Sequence, residues 1–132
     1  MPGMLRNKRA MARWFLVVLY ALAGVLHLVL PAPFIGITPG WVPYPAQVIA
    51  VTGLCEIAGA VALAQPRWPG LRRAAGVALA LYALCVFPAN IHHMMMDLAR
   101  SDHGLGYAYH LPRMVAQPVL IWLALWCSKP PH

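Results

Sequence analysis

Residues 85–97, CVFPANIHHMMMD, carry side chains able to hold a metal or bind a polar group. An apolar run meets Pro88 and Asn90, and two histidines, three methionines and an aspartate follow at once. If the helix continues past Ile91, His92 and Met96 face one way and His93 and Asp97 another. A histidine with a methionine suits copper or haem iron. A complete ligand set would need His103, His110 or a second chain. A methionine run at an apolar-to-polar boundary reads equally well as packing at a membrane interface. The expectation is therefore no obligate metal site, with His92, His93 and Met96 as the minor candidates.

Further polar residues stand one to an apolar segment. His27 shares a helical face with Tyr20, Ala23 and Gly24; Glu56 with Ile49, Gly53 and Ala60; Asn90 with Ala83, Val86 and Phe87; and Gln117 with Ile121 and Ala124. Offsets of three, four and seven put residues on one side of a helix. The small residues among them let helix backbones approach closely. A rise of ~1.5 Å per residue places Glu56 ~15 Å below the outer surface, and His27, Asn90 and Gln117 within ~5 to 10 Å of it. Arg113 stands at the rim. His27, Glu56, Asn90, Arg113 and Gln117 are thus expected to form one pocket in the outer half of a bundle. An ionisable group at such depth costs on the order of 3 kcal/mol on insertion scales. Glu56 must be protonated, paired or solvated by a cavity, with His27 or Arg113 as its partner. A network that only ties helices together is the competing reading.

The elements that must position these residues are membrane spans. Of 132 residues, 61% are hydrophobic and 10% charged, and Glu56, Asp97 and Asp102 are the only acids. A soluble domain carries about a quarter charged residues. The sequence therefore predicts an all-α integral membrane four-helix bundle, a single domain over 1–132, with spans at about 14–30, 46–64, 74–91 and 112–127. The net charge of +7 does not indicate nucleic acid, because the basic residues sit between apolar spans rather than on one polar face. Arg6, Lys8, Arg9 and Arg13 precede the first span, Arg67, Arg72 and Arg73 lie between the second and third, and Lys129 follows the fourth. The positive-inside rule then makes both termini cytoplasmic. The first run is longer than a secretory signal core and is expected to be retained. Cys55, Cys85 and Cys127 form no C-x-x-C pair and are expected to behave as small buried hydrophobes.

The connection PAPFIGITPGWVPYP has five prolines, which argue against a regular helix, yet it is rich in apolar and aromatic residues. It is expected to lie at the membrane surface, either as a plain connector or as a lid over the bundle. The segment ARSDHGLGYAYHLP reads as an exposed outer loop.

Four segments together resemble the DoxX-like membrane proteins. GVLHLVLPAPFIGITPGWVPYP is similar to their glycine-x-x-histidine plus proline-rich loop, and TGLCEIAGAVAL to their glycine-x-x-glutamate second helix. VFPANIHH resembles the end of their third helix, and RMVAQPVLIWLAL their arginine- and glutamine-bearing last helix. The resemblance covers nearly all of 14–127 and implies a four-helix protein of the bacterial inner membrane. The family takes its name from quinol-oxidase and thiosulfate:quinone oxidoreductase subunits. The chain itself shows no haem c motif, no C-x-x-C pair and no nucleotide-binding loop. The leading expectation is an accessory or binding protein whose pocket takes a small lipophile such as a quinone or lipid, or seats a partner's helix. Its partners would be the bilayer and a membrane redox protein or a second copy. The alternatives are an enzyme using Glu56 and His27 as acid and base on a lipophilic substrate, and a structural assembly scaffold.

Overall fold

Proline marks the starts of four of the five helices. A computed structural model describes residues 2–130, as α1 (Pro2–Val29), α2 (Ala32–Gly36), α3 (Pro45–Ala64), α4 (Pro69–Ala99) and α5 (Gly106–Cys127). Pro45 and Pro69 open α3 and α4, where the missing N–H has no intrahelical acceptor to lose and the fixed φ suits the first turn. The same tolerance explains α2. The proline-rich connection was expected to exclude regular helix, but Pro31 and Pro33 fall at the start of a short helix rather than inside one.

Three long helices run further than the apolar runs suggest. α1 begins at Pro2, so Arg6, Lys8, Arg9 and Arg13 lie on the helix and not before it. α4 passes through Pro88 and ends only at Ala99, 31 residues in all and about 46 Å long. Pro88 deletes the donor to the Leu84 carbonyl, but packed neighbours on both sides carry the helix past that gap. The HHMMMD stretch is therefore helical. α5 starts at Gly106, so Pro112 lies within it and Tyr107, Tyr109 and His110 are helical rather than part of an exposed loop.

The chain is all-helical over its described residues, and three of its helices, α1, α3 and α4, are long and apolar enough to cross a membrane. α1 packs chiefly on α3, and α4 on α5; α3 against α4 and α1 against α5 complete the ring more loosely. Glycine makes the tight pairs possible. A Cβ on Gly24 would lie 2.6 Å from the Gly53 carbonyl oxygen, and one on Gly53 would lie 2.8 Å from the His27 Cβ. The interior is built of small residues, Ala60, Ala75, Ala80 and Ala124, around Leu16, Leu63 and Leu79. The outward faces are apolar, with Val18 and Leu22 of α1, Leu54 and Val61 of α3, Leu81 of α4 and Trp122 of α5 all exposed. Cys55 and Cys85 share this exposure, and only Cys127 is buried, which corrects the expectation for the first two. A cysteine in an apolar run faces inward only when its helical phase does.

The basic residues gather at one end. Arg73 donates to the Leu125 carbonyl at 2.6 Å and to Ser128 Oγ at 3.1 Å, and the Arg9 guanidinium lies 5.7 Å over the Trp126 ring. Arg100 and Arg113 are the basic residues at the opposite end, with the α4–α5 turn and the connection that contains α2.

Candidate functional site

The looser seam between the α1–α3 and α4–α5 pairs opens into a cavity of about 480 Å³. Its walls come from all four long helices, and the α2 connection closes one side with Phe34, Ile37, Pro39 and Trp41. His27, Glu56, Asn90, Arg113 and Gln117 all line it. The structure thus brings the five sequence-selected residues to one cavity, though not as one cluster.

The first cluster is centred on Glu56, which is 2% exposed. His27 Nδ1 lies 3.2 Å from Glu56 Oε1, within ion-pair range but without hydrogen-bond alignment. The Tyr82 hydroxyl donates to the same Oε1. Glu56 Oε2 is buried and has no partner among the described residues. The glycine contact of α1 with α3 sets this geometry, because Gly24 and His27 are one turn apart and both lean on the Gly53–Glu56 turn. Phe34 stands edge-on to the His27 ring, 4.1 Å between centroids, so the α2 connection packs directly on the cluster. A carboxyl and imidazole side by side, with a phenol attached, can exchange protons with a bound group or hold its hydroxyl.

The second cluster lies on α4 and α5. Arg113 Nη2 donates to Asn90 Oδ1 at 2.6 Å, and Nη1 lies 3.2 Å from His93 Nδ1. The guanidinium also sits 5.0 Å over the Tyr109 ring. Arg113 therefore does not pair with Glu56; its reach is taken up by neighbours nearer the helix end. Gln117 Nε2 donates to the Ala83 carbonyl at 2.9 Å, one residue before the carbonyl that Pro88 leaves without a donor. This bond ties α5 to the weakened turn of α4 and holds the cavity wall.

A third group joins α4 to the start of α5. Asp97 Oδ2 accepts from His110 Nε2 at 2.8 Å and from the Leu105 N–H at 3.1 Å, and His93 Nε2 lies 3.4 Å away. Of the metal candidates, only His93 belongs to this group; His92 and Met96 lie on other faces of α4, in keeping with the helical phase. Nearby, Asp102 accepts the Gly104 N–H at 2.9 Å and faces Arg100. That N–H, with the guanidinium second, holds the Asp102 carboxyl below the usual carboxylate range.

Tyr82, Tyr20 and Thr52 also line the cavity and were not singled out from the sequence. The signal for Tyr82 was present, since it stands four residues before Val86 and eight before Asn90 on one stripe of α4.

The chain matches, over residues 16–128, the model of a family described as a domain of unknown function, DUF8561. It belongs to that family. The match takes in α1 from Leu16 onward and the whole of α3, α4 and α5, and with them every cavity residue named above. No curated protein and no solved structure matches the chain.

Proposed function

We propose that this member of DUF8561 is a DoxX-like protein of the bacterial inner membrane that binds a small lipophile, a quinone or a lipid, in the cavity between its helix pairs. In this reading all four long helices cross the bilayer, and α5, with 22 residues, reaches about 33 Å. The apolar outward faces support it, because a soluble monomer does not expose apolar surface so continuously. The gathering of basic residues at the end that holds the α3–α4 connection supports cytoplasmic termini.

The observation that carries the proposal is Glu56. Its Oε1 is engaged by Tyr82 and His27, while its Oε2 is buried without a partner among the described residues, beside a largely apolar cavity. Such a cavity suits an apolar body carrying one hydroxyl or carbonyl, which a quinol or a lipid headgroup provides. Held reversibly, a quinone would make the protein an accessory to a membrane redox partner. The His27–Glu56 contact also favours a second reading, acid–base chemistry on the same lipophile. Native mass spectrometry of protein extracted gently from its own membrane tests the binding. The expected result is a stoichiometric lipophile adduct in the wild type that is lost in Glu56→Gln. An adduct retained unchanged in that variant removes Glu56 as its anchor, and a wild type without any adduct contradicts the reading.

A further inference from the structure

We propose that His93, Asp97 and His110 form a binding site for a divalent first-row transition metal of zinc-like chemistry, separate from the lipophile cavity. The three residues offer ligand atoms that lie within 4.8 Å of one another. His93 and Asp97 are one turn apart on α4, and His110 reaches across from α5. The same nitrogen of each imidazole, Nε2, turns toward the same carboxylate oxygen. His110 is fully buried and Asp97 nearly so, while His93 keeps partial exposure, which leaves an entry path.

The distances come close to those an ion needs. Metal bonds of about 2.0 to 2.2 Å in tetrahedral geometry place neighbouring ligand atoms about 3.3 to 3.6 Å apart. The separations from Asp97 Oδ2 are 2.8 Å to His110, which must draw back slightly to admit an ion, and 3.4 Å to His93, which already fits one. The first is a good hydrogen bond, but the second is longer than one. Asp97 therefore accounts for the position of His110 without a metal, but holds His93 only weakly. The carboxylate is fixed before any ion arrives. The Leu105 N–H holds Oδ2 at 3.1 Å, and Gly104, at φ +54°, lies so close that a Cβ there would come within 2.6 Å of Asp97 Oδ1. Support of this kind from outside the ligand set orients a metal site. Two imidazoles and a carboxylate suit zinc, cobalt or nickel rather than calcium or magnesium, which prefer oxygen alone. Three protein ligands leave a fourth position open to water or another small ligand.

One neighbour opposes the ion. Arg113 Nη1 lies 3.2 Å from His93 Nδ1. When Nε2 of a neutral imidazole binds metal, Nδ1 carries the proton and no longer accepts from a guanidinium. Metal binding must therefore displace Arg113 from His93, back toward Asn90 and Tyr109. Removing the arginine should tighten the site.

Cobalt(II) is the probe, added to untagged, chelator-treated protein in detergent and followed by its visible absorption, with zinc(II) as competitor. The expected result is one cobalt per chain, displaced by zinc. His93→Gln should weaken binding about a hundred-fold or more, since it removes a direct ligand rather than a supporting one. His92→Gln and His103→Gln should change nothing. Arg113→Gln should tighten binding about ten-fold, because it removes an unfavourable charge at short range. Cobalt uptake below stoichiometry, or uptake as strong in His93→Gln as in the wild type, overturns the site. Should His93→Gln fail to fold, the Arg113→Gln arm decides alone, and unchanged or weaker binding there overturns the proposal.

Discussion

Glu56→Ala and Glu56→Gln make a pair whose difference is more informative than either alone. Both remove the buried acid, so the cost of burying that group drops out of the comparison. Glutamine keeps the shape and an acceptor oxygen for the Tyr82 hydroxyl; alanine keeps neither. The hydroxyl stranded by alanine costs about 1 to 3 kcal/mol. His27, 3.2 Å from Oε1, loses its neighbour only in the alanine variant. The alanine variant should therefore be less stable than the glutamine variant by about 2 kcal/mol, a change in the unfolding constant of about thirty-fold. Unfolding in mixed micelles with increasing dodecyl sulfate, followed by circular dichroism, measures the gap. Equal stability of the two variants would refute the reasoning. The Tyr82 hydroxyl would then be satisfied from the cavity, and Glu56 would not organise the cluster.

Gly24→Val should separate α1 from α3, because its first carbon already lies 2.6 Å from the Gly53 carbonyl; a loss of about 1 to 3 kcal/mol is expected in the same unfolding assay. Gln117→Leu removes the donor to the Ala83 carbonyl and should cost about 1 kcal/mol, with faster hydrogen exchange of α4 around Pro88 as the local reading. Asp97→Ala strands the Leu105 N–H and the buried His110 ring; a destabilisation of about 2 kcal/mol and increased proteolysis at residues 100–105 are expected. Reporter fusions at residues 40, 70 and 105 and at the C-terminus should place 40 and 105 outside and 70 and the C-terminus inside.

The residues lining the cavity were largely legible because polar side chains stand out in apolar spans, and helical offsets say which face they share. His27, Glu56, Asn90 and Gln117 each had small residues at those offsets, and all four line the cavity. Their partners were less legible. Tyr82 was lost because tyrosine is ordinary near membrane interfaces and carries no charge that demands explanation. The pairing of Arg113 with Asn90 and His93 depends on how far α5 slides along α4, which no periodicity records. The joining of His110 to Asp97 was hidden for two reasons. The third apolar run ends at Ile91, and glycine, histidine and tyrosine around Gly106 read as loop. In the fold, Pro88 sits inside a long helix whose far end meets the first turns of α5. Local residue preference yielded there to packing between the two helices.

The central claim is that the cavity, and not the outer surface, holds the lipophile. Photolabelling in native membranes with a short-chain azidoquinone, followed by peptide mass spectrometry, tests it most directly. The account predicts adducts on cavity residues such as Tyr20, Thr52 and Val86, competed away by unlabelled quinone and lost in Glu56→Gln. Adducts spread over the outward residues Val18, Leu81 and Trp122, with no loss in that variant, would contradict it.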